Sequence, residues 1–314
     1  MINLIERERN MIIKPCTPSK ELLFFRSLNA RLELSQKDHH HYVVLEKGFK
    51  GEKNFNLLLE NYPTECLILN DLLLEKNTAL FQIDTLLITP KKLYHFEVKN
   101  FEGDYYIEKD QWYSASTKIE IVNPLSQLER SRSLLRRLLQ DLGSTLSVES
   151  YLIFINPQFM LYHAPINSSI IFPTQLNRFM KKLNLSSSII NSSHNLLSDK
   201  LISQHKTDCL FSRIPHYTYD DLQKGIICPK CHSFLSRYKE MNLTCETCGN
   251  VENWEVAVLR SVGEFKLLFP GRKITTNGVY EWCGGIKSNK AIRRILMKYF
   301  SSSGHANNFH FITK

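Results

Sequence analysis

Apolar positions along this chain fall into helical stripes and short strand-like runs, and Gly, Pro, Ser and Asn punctuate them. Leu22, Phe25, Leu28 and Leu32 recur near helical spacing behind Ser19, which predicts a capped helix over 19–34 packed onto the core that follows. Phe55, Leu58 and Leu59 mark a second helix, opened by Gly51-Glu52 and running through Glu60. Strands are expected from Cys66 to Leu74 and from Tyr105 to Tyr113, with Trp112 in the core. Asn123-Pro124 then starts a helix to Leu142, with Pro in its first turn, Gly143 as its stop, and Leu128, Leu135, Leu138, Leu139 and Leu142 as its buried stripe. The unbroken apolar run Tyr151–Ile155 suits a buried strand, so strand, strand, helix, strand gives an α/β core. Beyond it, a Ser- and Asn-rich stretch holds helices near 174–183 and 196–206 and no legible function.

The most informative pattern lies between Gln82 and Asn100, where two apolar, β-branched and aromatic runs flank Thr89-Pro90-Lys91-Lys92. Pro sits where a type I or II turn wants it, so the stretch reads as a β-hairpin. An even loop centred between Pro90 and Lys91 sets Ile88 opposite Leu93, hence Asp84 opposite Glu97 and Gln82 opposite Lys99, all on one face. Cross-strand partners stand roughly 5 Å apart at Cβ, where two carboxylates repel unless a cation lies between them. A divalent metal resolves that conflict, and Lys99 can then hold a water or balance phosphoryl charge. An isolated Glu-x-Lys is more often a surface ion pair, but burying an Asp, a Glu and a Lys at one depth is costly without partners.

Gln82-Ile83-Asp84, Glu97-Val98-Lys99-Asn100, the upstream Gly51-Glu52, and Asn123-Pro124 with Gln127 resemble the nuclease-related domain, NERD, a branch of the PD-(D/E)xK nuclease superfamily, over roughly residues 40–155. The resemblance implies a restriction-endonuclease-like mixed sheet flanked by helices, and a Mg²⁺ (or Mn²⁺) site with Asp84 and Glu97 as ligands. It also implies Lys99 as the catalytic lysine, with Glu52 and Gln127 in support. The superfamily's Pro-Asp reads Ile83-Asp84 here, as is usual for NERD. From its place alone, Glu52 is equally a helix-dipole residue, since a carboxylate suits a helix N-terminus.

A second motif is as specific. Cys228-Pro-Lys-Cys231 and Cys245-Glu-Thr-Cys248 are two CxxC knuckles separated by thirteen residues, the Cys₄ spacing of a zinc ribbon. Four ligands close a tetrahedral site, so this Zn²⁺ is structural. Cys16, Cys66, Cys209 and Cys283 have no such spacing and read as small buried hydrophobes. His39-His40-His41 reads as solvated loop, because consecutive side chains rarely converge on one ion, and His194 and His205 read as ordinary surface residues.

The last segment resembles a helix-turn-helix. Helices are expected over Val256–Leu268, from a Thr276 cap through Trp282, and from about Ser288 to Phe300, followed by a strand or wing over Asn307–Thr313. Ile292, Ile295, Leu296 and Tyr299 form the buried side of the final helix, leaving Lys290, Arg293, Arg294 and Lys298 outward. Such a helix either reads nucleic acid or is a solvated surface; Arg132, Arg136 and Arg137 on the earlier helix carry the same two readings. Charge sharpens the choice. Of the formal net +9, residues 216–314 hold 14 Lys and Arg against 8 Asp and Glu, which favours an acidic partner such as nucleic acid.

These signals divide the 314 residues into a helical extension (1–40), a nuclease-like domain (41–215), a zinc ribbon (216–255) and a helix-turn-helix-like module (256–314). No apolar run reaches the roughly 18 residues of a membrane span, and acidic residues occupy the N-terminus where an export signal is positive, so a cytoplasmic protein is expected. The leading expectation is a Mg²⁺-dependent nuclease acting on DNA. The alternatives are a nucleic-acid-binding or regulatory protein on a nuclease fold that no longer cuts, and a structural adaptor bound through the ribbon.

Overall fold

The computed structural model describes residues 10–60, 65–166, 169–183, 189–207, 211, 213–239, 241–305 and 308–313. The chain divides into two compact units, one of Met1–Thr17 with Leu45–Cys209 and one of Pro18–Val44 with Leu210–Lys314.

The first unit is built on a six-stranded mixed sheet. It contains β1 (Asn10–Lys14), β2 (Cys66–Lys76), β3 (Ala79–Ile88), β4 (Lys92–Lys99), β8 (Ser147–Phe154) and β10 (Ile170–Ile171), and its spatial order is β1-β2-β3-β4-β8-β10. β2, β3 and β4 run antiparallel, whereas β4, β8 and β10 run parallel. α3 (Pro124–Asp141) lies between β4 and β8 in the chain, as a parallel pair requires a long connection. Both faces are covered, so the strands read as nearly continuous apolar runs. On one face Leu135, Leu138 and Leu139 of α3 and Leu197 and Leu201 of α5 (Ser192–Ser203) meet Leu69, Leu86, Ile88 and Leu93. On the other, Phe55 and Leu59 of α2 (Gln36–Glu60) and Phe179 of α4 (Leu176–Leu183) meet Ile68, Leu87, Phe96, Val98 and Ile153.

Between β4 and α3 the chain forms β5 (Gly103–Glu108), β6 (Gln111–Ser114) and β7 (Glu120–Ile121), which join β9 (Phe159–Tyr162) in a second sheet ordered β7-β6-β5-β9. The expected single strand over Tyr105–Tyr113 is therefore a hairpin. Glu108 pairs with Gln111 across a turn whose Lys109 and Asp110 have φ of 50° and 65°, the geometry of a tight primed turn. Trp112 is core, as expected, beside Phe154 and Phe159.

Four further expectations change along the chain from α2 to α5. Gly51-Glu52 does not open a helix but lies inside α2, which starts fifteen residues earlier at Gln36 and takes in His39-His40-His41 as helix rather than loop. The glycine marks a close approach instead: a Cβ there would stand 2.6 Å from Asn100 Cβ. α5 starts at an Asn191 cap and ends at Ser203. His194 is buried, with Nδ1 accepting the Asn191 N–H at 3.1 Å and Nε2 3.3 Å from the Pro90 carbonyl. His205 Nδ1 accepts the Leu73 N–H, so both histidines tie segments together rather than face solvent.

The second unit contains α1 (Lys20–Arg31), the start of α2, three short strands β11 (Arg237–Lys239), β12 (Asn242–Thr244) and β13 (Val251–Asn253), helices α6 (Trp254–Leu268), α7 (Thr276–Trp282) and α8 (Asn289–Tyr299), and the hairpin β14 (Phe300–Ser303) and β15 (His310–Thr313). The ribbon and the helices share one core: Cys228, Leu235, Leu243 and Cys245 pack with Trp254, Val258, Val262, Val279, Ile292, Leu296 and Phe311. Thr275, not Thr276, caps α7, accepting the Gly278 N–H. β15 supplies the expected wing strand, and Asn307 and Cys209 lie outside the described residues.

α1 begins at the expected Ser19 cap but does not belong to the nuclease-like core. Its last residue, Arg31, is buried, with Nη2 and Nε donating to both oxygens of Glu264 in α6 at 2.7 and 3.1 Å. Nη1 and Nη2 also donate to the carbonyls of Gln223 and Gly225, and the guanidinium lies 3.9 Å from the Trp282 ring centroid. A buried arginine with this many partners fixes where its helix docks.

Candidate functional site

The hairpin that carries Asp84 and Glu97 forms as its turn chemistry dictates. Thr89 N–H donates to the Lys92 carbonyl at 2.9 Å around Pro90-Lys91, and Ile88 pairs with Leu93. The β3–β4 ladder then runs only to Thr85 opposite Phe96. At the next step Asp84 Oδ2 accepts the Val98 N–H at 2.7 Å, so a side chain takes over where backbone pairing stops. β4 does not drift free there, because Glu97 and Lys99 remain paired in parallel with Leu152 and Phe154 of β8.

Glu97 is 1% exposed, with Oε1 accepting from Lys99 Nζ at 2.7 Å and Oε2 buried without a partner. An orphaned carboxylate oxygen in a protein interior costs kilocalories unless an ion or water satisfies it. Lys99 Nζ also donates to Gln127 Oε1 at 3.0 Å. Gln127 is placed by the first turn of α3, whose Asn123 cap accepts the Leu125 N–H and whose Pro124 needs no partner.

Glu52 enters from α2. Burial, then the charges of Asp71 and Glu97, raise its carboxyl to about 7, opposed by Lys99. Asp84 is likewise held well above the carboxylate range by burial, then by Glu97 and Glu52, with Lys99 and the Val98 N–H opposing. Burial alone would pull Lys99 down, yet Glu97 and Asp84 outweigh it and keep the ammonium above its ordinary range. Asp84, Glu97, Lys99, Gln127 and Glu52 thus share one electrostatic and hydrogen-bonded neighbourhood, although the three carboxylates do not bring their oxygens within 4.8 Å of one another.

Two participants were not expected. Asp71 stands opposite Asp84, since Asn70 pairs with Thr85 and Leu72 with Ile83 in one unbroken β2–β3 register, and its φ is 48°. It accepts from Gln82 Nε2 at 2.9 Å, and it is the charge that acts most on Glu52. The polar pair Asn70-Asp71 inside an otherwise apolar strand was the available signal. His95 lies buried two residues before Glu97 on the same strand face, with Nδ1 3.1 Å from Ser150 Oγ and Nε2 3.4 Å from Ser131 Oγ of α3. Burial, then Arg132, lowers it to about 4, so it is a neutral tie between β4 and α3.

In the second unit Cys228, Cys231, Cys245 and Cys248 place their Sγ atoms within 4.8 Å of one another, the one such cluster among the described residues. Cys228 and Cys248 are 3.7 Å apart and Cys231 and Cys245 3.4 Å. Thiolates about 2.3 Å from a tetrahedral zinc stand about 3.8 Å apart, so the soft donor set and its spacing both fit that ion.

On α8, Ile292, Ile295 and Leu296 are buried and Lys290, Arg293, Arg294 and Lys298 are exposed, as the pattern predicted. Tyr299 is instead 40% exposed, with its ring centroid 4.8 Å from Lys298 Nζ. Lys298 is paired with Glu255 at 2.7 Å, and Arg293 lies 5.4 Å from the Phe309 ring centroid.

No helix among the described residues is long and apolar enough to cross a membrane. No curated protein and no solved structure matches the chain. Residues 47–155, the segment that holds Glu52, Asp84, Glu97, Lys99 and Gln127, match the family model described as nuclease-related domain, NERD.

Proposed function

We propose that this chain is a metal-dependent nuclease of the PD-(D/E)xK type that hydrolyses phosphodiester bonds of DNA. The observation that carries the reading is the buried, unpartnered Glu97 Oε2 beside Asp84 and Lys99. Hard carboxylate oxygens suit Mg²⁺ or Mn²⁺, so Asp84 and Glu97 are the residues that would hold such an ion. Bound there, it would polarise a phosphoryl oxygen and acidify a water.

The chain's own groups divide the remaining work. An ammonium has three donors, and Lys99 directs two of them to Glu97 and Gln127. Its third is left for the attacking water or a non-bridging phosphoryl oxygen. Being protonated, Lys99 acts as a donor and a charge, not as a base. Glu52, at about 7, is the carboxyl able to take up a proton near neutral pH. Gln127 and the α3 cap fix the direction of the lysine, since a loosely held donor stabilises charge poorly.

The four cysteines would hold a structural zinc, and α8 would meet the nucleic acid through Lys290, Arg293, Arg294 and Lys298. The +9 net charge supports an acidic partner. The deciding experiment is cleavage of linear and circular DNA with Mg²⁺ or Mn²⁺, wild type beside Lys99→Ala, with circular dichroism as the control for folding. Metal-dependent products that vanish in a folded Lys99→Ala chain support the reading. Equal cleavage by both, or none by wild type, overturns it.

A further inference from the structure

On the sheet face away from Glu97, a cleft of about 410 Å³ opens between α4 and the β4–β8 pair. Side chains alternate along a strand, so Lys92 and Tyr94 point away from the face of Glu97 and Lys99. The cleft therefore lies apart from the candidate nuclease centre.

Its floor is aromatic. Tyr94 stacks with Phe96 and Tyr151, at 6.3 and 6.4 Å between ring centroids, and Phe179 stands edge-on to Tyr151 at 4.7 Å. Ile170, Ile171 and Leu183 complete the apolar lining. One negative charge reaches the rim, and it is already satisfied. Glu149 accepts from Lys92 Nζ through one oxygen and from the Tyr151 hydroxyl through the other at 2.9 Å.

What remains unspent is almost entirely donor. Arg178 and Lys182 are exposed one turn apart on α4, and neither has a hydrogen-bond or ion-pair partner among the described residues. Like charges at that spacing repel, so an anion between them relieves a cost the helix otherwise carries. Gln175 uses its Oε1 on the Phe172 N–H, leaving its amide nitrogen to donate, and the Tyr94 hydroxyl is likewise unpaired among the described residues. A donor-rich rim over an aromatic floor recognises an acceptor-rich anion joined to a planar ring. The volume suits a ligand of nucleotide size.

We propose that this cleft binds a nucleoside phosphate, with the phosphate at Arg178 and Lys182 and the base against Tyr94 and Tyr151. The inference does not depend on the nuclease reading. The test is equilibrium dialysis of the full chain with AMP, ADP and ATP in buffer without added divalent metal, beside adenosine and inorganic phosphate, on wild type, Arg178→Ala/Lys182→Ala and Lys99→Gln. Both α4 side chains are exposed, so their loss leaves the fold intact. Saturable binding of a nucleotide, at least tenfold tighter than adenosine or phosphate alone, weakened at least tenfold in the α4 variant and unchanged in Lys99→Gln, supports the site. Four results each overturn it: no saturable nucleotide binding, inorganic phosphate bound as tightly, affinity unchanged in the α4 variant, or affinity lost in Lys99→Gln.

Discussion

Gly51 and Asn100 touch where α2 crosses the end of β4: a Cβ on the glycine would lie 2.6 Å from Asn100 Cβ and 3.3 Å from Ile155 Cγ2. Asn100 Nδ2 donates to the Lys47 carbonyl at 2.7 Å and locks the crossing. A Cβ is fixed by its backbone, so no rotamer relieves that clash. The contact sets how far Glu52, the next residue of the helix, reaches toward Glu97 and Lys99.

Gly51→Ala should therefore destabilise the first unit by about 1–3 kcal/mol, the usual cost of overpacking. Gly48 is the internal control. It lies in the same helix with nothing within 4 Å of its would-be Cβ, so Gly48→Ala should stabilise by about 0.5–1 kcal/mol through helix propensity. Urea midpoints moving in the same direction for both variants would refute the close-approach account. Cleavage should fall only in Gly51→Ala.

Asp84→Asn and Glu97→Gln should each lower cleavage by a factor of about 10² to 10³ or more while leaving the fold intact. Neutralising either residue removes repulsion between buried carboxylates, and an Asn at 84 still offers an oxygen to the Val98 N–H. Melting of Asp84→Asn in EDTA should then match or exceed wild type, whereas Glu97→Gln also removes the carboxylate that Lys99 donates to and should melt lower. A variant that cleaves at the wild-type rate refutes the assignment.

The metal-free protein should lose stability as pH rises. Glu52 titrates at about 7 when folded, against an ordinary value of 4.5, so between those values the native state holds a proton that the unfolded chain has released. The contribution of this group is full below about pH 4.5 and is lost as pH climbs through about 7. Every tenfold difference in proton affinity between the folded and unfolded chain is worth about 1.4 kcal/mol. Hydrogen exchange of the β3 and β4 amides in EDTA should show protection falling over that window, and Glu52→Gln should flatten the fall. Equal slopes in the two proteins count against a buried, protonated Glu52.

How much of this site is legible in the sequence depends on the range of the interactions. The hairpin register follows from Pro90 and period-two alternation, both local, and Ile88 does face Leu93. The cap of α3 is local too, so Gln127 is placed correctly from Asn123-Pro124. Gly51 misleads because a glycine required by a neighbour 49 residues away looks the same as one that opens a helix. Asp71 is hidden because its place opposite Asp84 is set by the pairing of β2 with β3, which the pattern of β2 alone does not carry. The place of α1 is decided by Arg31 meeting Glu264, 233 residues later, and its local pattern carries no trace of that partner.

Zinc should be present at one ion per chain and should hold the second unit together. Its Cys228 and Cys245 sit inside the core shared by the ribbon and helices α6–α8, so losing the ion loosens more than the ribbon. Cys228→Ser, or a strong chelator, should destabilise that unit by several kcal/mol, the scale on which structural zinc contributes to folding. Elemental analysis of protein purified without chelator reads the stoichiometry. Melting of the second unit that is indifferent to chelation would exclude the role.

The nucleic-acid contact proposed for α8 is tested by salt. Releasing counterions from Z phosphates makes log affinity fall against log salt with a slope of about −0.9Z on duplex DNA. The full chain is the proper subject. A fragment beginning at residue 216 would lack Arg31, leaving Glu264 short of a buried partner, a loss of about 3–5 kcal/mol when such pairs are broken. Within the full chain, Lys290→Ala and Arg294→Ala should each lower the slope by roughly one unit if they touch phosphate, or relax sequence preference at about 1–3 kcal/mol if they read bases. Lys298→Ala should do less, because Glu255 already engages its ammonium. Arg293→Ala should fall between, since its guanidinium rests partly against Phe309. Affinity indifferent to salt, or four variants indistinguishable from wild type, would leave the positive face of α8 as a solvated surface.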